Sequence, residues 1–157
     1  MKHACSVLVC CAGMLLATAC QTQLPMELSR FRGVKLSDEE KVALVLEEVQ
    51  RGIENRRVYQ VLAHVAHTYQ DREGRDYNAL REDLNLLMRH YRNIRITRTP
   101  PRILVQGDRA RVVDVFGTTA DSVNPLEYPP INLQGQVMII MQRFGDAWQI
   151  REWGPIS

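Results

Sequence analysis

The chain has 157 residues, enough for about one domain, and its hydrophobic content of 45% is ordinary for a globular fold with a real core. Its 20 basic residues face 18 acidic ones, for a formal net charge of +2, a balance that does not predict a polyanion partner. Cys5, Cys10, Cys11 and Cys20 all precede residue 21, which leaves the rest of the chain without a disulfide or a cysteine metal site.

Lys2 and His3 lead into an apolar run from Ala4 to Leu16 and then small residues, the layout of a secretory signal. The run is too short for a comfortable membrane span. The sequence "LATAC" resembles the lipobox of bacterial lipoproteins, in which the cysteine is acylated before cleavage on its amino side. The resemblance implies a lipoprotein signal peptide over residues 1–19 and an acylated Cys20 as the first mature residue; an ordinary signal cleaved after "ATA" is the competing reading. An exposed thiol at a secreted terminus is reactive, which favours the acylated form. Several acyl chains, at about 0.8 kcal/mol per buried methylene, anchor a protein firmly. Gln21, in place of the Asp of inner-membrane retention, implies the outer membrane, with the chain facing the periplasm. Residues 20–36 lack a clear period and read as a tether to a domain over residues 37–157.

"SDEE" sets a capping Ser37 three residues before Glu40, with acids in the first turn. Val42, Val45, Leu46, Val49 and Ile53 then recur at helical spacing. A second helix is expected from about Arg56 to Tyr69, with Val58, Val61, Leu62, Val65 and Tyr69 on one side, ending at "QDREGRD". A third is expected from about Asp76 to Tyr91, with Tyr77, Leu80, Leu84, Leu87, Met88 and Tyr91 inward.

From Ile94 the period becomes two. "NIRITR" and "RILVQ" flank "TPP", and two hairpins are expected at Gly107-Asp108 and Gly145-Asp146, separated by the proline-bearing loop "DSVNPLEYPPIN". Helices first and an antiparallel sheet afterwards is the α+β order. That order, with "ILVQGDRARVV" and "FGDAWQI", resembles the nuclear transport factor 2-like superfamily, which includes ketosteroid isomerase and polyketide cyclases. The resemblance spans roughly Ser37 to Trp153. It implies three helices packed in a curved antiparallel sheet of about four to six strands, a cone-shaped barrel enclosing a pocket, and in many members a homodimer formed through the sheet. It also extends to small bacterial lipoproteins carrying this domain.

Several residue groups are candidates for chemistry. His64 and His67 in "HVAH", with Asp71, have the spacing of metal ligands on one helix side, but helical geometry turns both histidines away from the apolar face, so no metal is expected. "DREGRD" lacks the alternating ligands of a calcium loop. No nucleophile elbow or glycine-rich phosphate loop is present, and no cofactor is expected. Arg89, Arg92, Arg95, Arg98 and Arg102 form an acid-free basic run, read as a solvated rim or as a contact for lipid phosphate or acidic envelope groups. An exported protein seldom meets nucleic acid, so none is expected.

In "ARVVDVFGT", alternation places Asp114 on the face of Ala110, Val112 and Phe116. A carboxylate inside an apolar cone suits a general base; a bulge reversing the register, or pairing with a nearby basic residue, is the structural alternative. Val112, Asp114, Phe116, Trp148 and Ile150 are the expected pocket lining. Ketosteroid isomerase also uses a pocket Asp, but no full set of base and oxyanion donors matches here. The expected function is therefore a non-catalytic, lipid-anchored domain binding a small apolar ligand or an envelope protein. The alternatives are an isomerase or dehydratase using Asp114, and a structural homodimer.

Overall fold

The computed structural model of the protein describes residues 35–157. Cys20, the expected signal peptide and the expected tether up to residue 34 lie outside the described residues.

Helix α1 (Asp38–Glu54) begins where the capping box places it. The Glu40 N–H donates to Ser37 Oγ at 3.2 Å, and the Ser37 N–H donates to Glu40 Oε2 at 2.7 Å. These bonds satisfy two donors that a helix start otherwise leaves free. Val42, Val45, Leu46 and Val49 form its buried face.

Helix α2 (Val58–Leu62) is far shorter than the expected Arg56–Tyr69. The reason lies in β5 (Ala147–Trp153), an edge strand. Its Ile150 N–H donates to the His64 carbonyl at 2.8 Å, and the Ala66 N–H donates to the Ile150 carbonyl at 2.9 Å. The backbone of residues 64–66 thus bonds to the sheet instead of continuing the helix. Val65 and Tyr69 are still buried, so apolar periodicity alone did not distinguish the two arrangements. Helix α3 (Tyr77–His90) is capped by Asp76, whose Oδ1 accepts the Ala79 N–H at 2.9 Å.

Strands β1 (Tyr91–Arg98), β2 (Arg102–Gln106), β3 (Arg109–Ser122), β4 (Ile131–Phe144) and β5 form one curved antiparallel sheet. Its central path is β1-β3-β4-β5, with β2 also paired to β3. β1 and β2 lie end to end along β3, since Arg98 faces Phe116 and Arg102 faces Val113. Pro100 and Pro101 occupy the break, where the missing N–H groups cost no ladder bonds. Gly107 and Gly145 take positive φ in the two hairpin turns, the conformation such turns require of their first residue. The register matches the alternation: Ala110, Val112, Asp114, Ala120 and Ser122 of β3 are buried, while Arg109, Arg111, Thr119 and Asp121 are exposed. No helix among the described residues is long and apolar enough to cross a membrane.

Candidate functional site

Between α1, α3 and the inner face of the sheet lies a cavity of about 260 Å³. Its walls come from Leu46, Val49 and Ile53 of α1, Leu80, Leu84 and Leu87 of α3, Ile94 and Ile96 of β1, and Val137 and Ile139 of β4, with Phe116, Trp153 and Ile156. Arg98 and Asp114 are the charged groups among the lining residues, and Gln50 and Thr118 supply the other polar side chains.

Asp114 is 5% exposed, on the inward face that alternation assigned to it. Arg98 meets it from the adjoining edge strand. Its Nε donates to Asp114 Oδ1 at 3.1 Å, its Nη2 to Asp114 Oδ2 at 2.7 Å, and its Nη1 to the Leu46 carbonyl at 3.0 Å. This is a bidentate pair, a geometry that the planar guanidinium favours. Each carboxylate oxygen accepts one bond from Arg98 and keeps a second lone pair. The structure thus realises the pairing alternative and not the isolated carboxylate.

The remaining polar groups divide between structure and free capacity. Gln50 Nε2 donates to the Ile96 carbonyl at 2.8 Å, and the Ile96 N–H donates to Glu54 Oε1 at 2.8 Å. Two side chains of α1 thereby satisfy the open edge of β1, where unpaired backbone invites association. Thr118 Oγ1 and Gln50 Oε1 make no hydrogen bond among the described residues and line the cavity.

Of the expected lining residues, Asp114 and Phe116 reach the cavity, while Val112, Trp148 and Ile150 do not. Those three are buried in the hydrophobic core, where Val112 lies opposite Ile139 of the cavity wall. Trp148 Nε1 donates to Asp38 Oδ1 at 3.2 Å, and the backbone of residues 64–66 bonds to Ile150.

The basic run is also redrawn. Arg98 turns inward, while Arg89, Arg92, Arg95 and Arg102 remain exposed. Asp121 of β3 lies opposite Arg92, so an acid distant in sequence enters the stretch that looked acid-free. Alternation through Ile94, Ile96 and Arg98 was the signal that Arg98 shares the apolar face.

The histidine group disperses because α2 ends early. His64 is half-buried, and burial holds its imidazole below the usual range against the opposing pull of Glu48. His67 packs against the Tyr77 ring at 4.9 Å. Asp71 is committed to its own loop: its Oδ1 accepts the Glu73 and Arg75 N–H groups, and its Oδ2 accepts Arg75 Nε at 2.7 Å. Among the described residues no three metal-binding side chains converge.

Neither a protein-family model nor a curated protein sequence matches the chain. Solved structures do. A provisionally named scytalone dehydratase of Novosphingobium aromaticivorans superposes with a TM-score of 0.65 at 14% identity, covering 75% of this chain and 83% of that one. A nuclear transport factor 2-like superfamily protein of Salmonella enterica gives 0.63 at 12% identity, covering 76% and 89%. The fold is nuclear transport factor 2-like. A provisional ketosteroid isomerase of Shewanella frigidimarina gives 0.60 at 16% identity, covering 74% and 94%. At such identities the likeness extends to the fold and not to the chemistry.

Proposed function

We propose that residues 37–157 form a non-catalytic domain binding a small apolar ligand, held at the periplasmic face of the outer membrane through an acylated Cys20. The observation that carries the binding reading is the cavity itself: about 260 Å³ of space walled by aliphatic and aromatic side chains, with its ion pair already internally satisfied. Largely apolar cavities with a few placed polar groups are the usual form of small-ligand sites.

Titration with the neutral, environment-sensitive fluorophore N-phenyl-1-naphthylamine tests the binding reading. Leu87→Trp, which projects bulk into the cavity from α3, should weaken binding while leaving the melting transition in place. Equal binding by wild type and Leu87→Trp would remove the cavity from the account. The anchor has its own test: mass spectrometry of membrane-extracted protein should find a modified Cys20 as first residue, and an unmodified soluble mature chain would exclude it.

An acid-base enzyme of the dehydratase or isomerase type is the second reading, favoured by the position of Asp114 on the cavity wall and by the names of two structural neighbours. It requires a substrate whose proton reaches a lone pair that Arg98 leaves open on Asp114. Turnover abolished by Asp114→Asn with binding retained would establish it.

A further inference from the structure

The charge of the cavity wall specifies which ligands it accepts. Asp114 and Arg98 have side chains only 7% and 13% exposed, and each is the other's counter-ion at 2.7 Å. Among the described residues no further charged side chain lines the cavity. The wall is therefore neutral as a whole. A ligand carrying a carboxylate finds a guanidinium already neutralised by Asp114, and a ligand carrying an ammonium finds a carboxylate already neutralised by Arg98. Either ion would leave water for an apolar cavity that holds no unmatched counter-charge, a transfer that is strongly unfavourable.

A hydroxyl or carbonyl group is different. Its desolvation is offset by ordinary hydrogen bonds, and Thr118 Oγ1 and Gln50 Oε1 offer that capacity at the cavity wall.

We propose that the cavity selects neutral apolar molecules bearing a single hydroxyl or carbonyl group, and that the Arg98–Asp114 pair is the specificity device, excluding anions and cations alike. The proposal rests on the binding reading above and narrows it to a ligand class. Asp114 determines specificity through Arg98: by occupying the guanidinium it prevents the cavity from being a carboxylate site. The device has a consequence in both directions. With Asp114 neutralised, Arg98 becomes a free, pre-positioned carboxylate receptor; with Arg98 neutralised, Asp114 becomes a receptor for an ammonium group.

The experiment is competition of 1-octanol, octanoate and octylammonium against N-phenyl-1-naphthylamine at pH 7, three probes that share a chain and differ in charge. Wild type should bind octanol at least tenfold more tightly than either ion. Asp114→Asn, close in shape to the native side chain, should improve octanoate relative to octanol by tenfold or more, and Arg98→Met should do the same for octylammonium.

Octanoate or octylammonium matching octanol on wild type would overturn the charge-selection proposal while leaving the binding reading intact. Failure of the fluorophore and of all three probes to bind would overturn the binding reading and this one with it. The wild-type ranking decides the matter even if a variant does not fold, and an unchanged ranking in folded Asp114→Asn would separate Asp114 from the selectivity and refute its role.

Discussion

Arg98 and Asp114 lie 16 positions apart in the chain and join across β1 and β3 in a two-pronged contact of 3.1 and 2.7 Å. Removing one member strands the other away from water. Arg98→Met or Asp114→Leu alone should destabilise the fold by about 3–5 kcal/mol, while the double substitution should recover most of that loss, because an apolar pair of similar volume needs no counter-charge. Urea unfolding of the four proteins forms the cycle. Additive losses would show that the two side chains do not act as a pair.

Gly135 of β4 is small because the chain's last residues pass over it. A Cβ there would lie 2.5 Å from Ile156 Cγ2 and 3.3 Å from the Ser157 carbonyl oxygen. Ile156 is 51% exposed and lines the cavity, and Ser157 and Gln136 exchange two backbone hydrogen bonds of 2.9 Å. Gly135→Ala should push this segment aside and leave the core alone. Methyl NMR should show Ile156 moving toward its random-coil position with Val112 unchanged, and fluorophore binding should weaken. An unshifted Ile156 would mean that the strand, and not the segment, yields.

Glu54 accepts the Ile96 N–H on the open edge of β1. Glu54→Ala leaves that donor without its partner and should cost about 1–2 kcal/mol, whereas Glu54→Gln retains an acceptor and should cost less. Amide hydrogen exchange at Ile96 should accelerate in the alanine variant. Exchange as slow as in wild type would show that α1 does not protect this edge.

Burial raises the Asp71 carboxyl pKa, but hydrogen bonds from Arg75, the Arg75 charge and the Glu73 N–H outweigh it, so Asp71 titrates below the usual range. Its folded pKa is thus below the unfolded value of about 3.9. The resulting stability is present above that pH and lost as pH falls through the folded value. Arg75 is 46% exposed, so screening limits the advantage of wild type over Asp71→Asn to about 1 kcal/mol at pH 7. Thermal melts should show that gap closing toward pH 2. A gap that persists in acid would assign the effect to loop shape and not to charge.

Local signals determined much of this protein. The Ser37–Glu40 cap, the apolar spacing of α1, the glycines of both hairpins and the inward alternation of β3 each depend on neighbours a few residues away, and all recur in the structure. Asp114 was placed on the apolar face by the same alternation. Tertiary pairing decided the rest. The second helix stops at Leu62 because β5 offers bonds to residues 64–66, and hydrophobic spacing carries no record of a strand edge arriving from nearly ninety positions away. The cavity took Leu84, Leu87 and Trp153 in place of Val112, Trp148 and Ile150, since where space remains depends on how helices seat against the sheet and not on which side chains are apolar. The same distance effect turned Arg98 from a member of a basic run into the counter-ion of Asp114, because charge balance in a folded protein is set by spatial neighbours that only the completed sheet brings together.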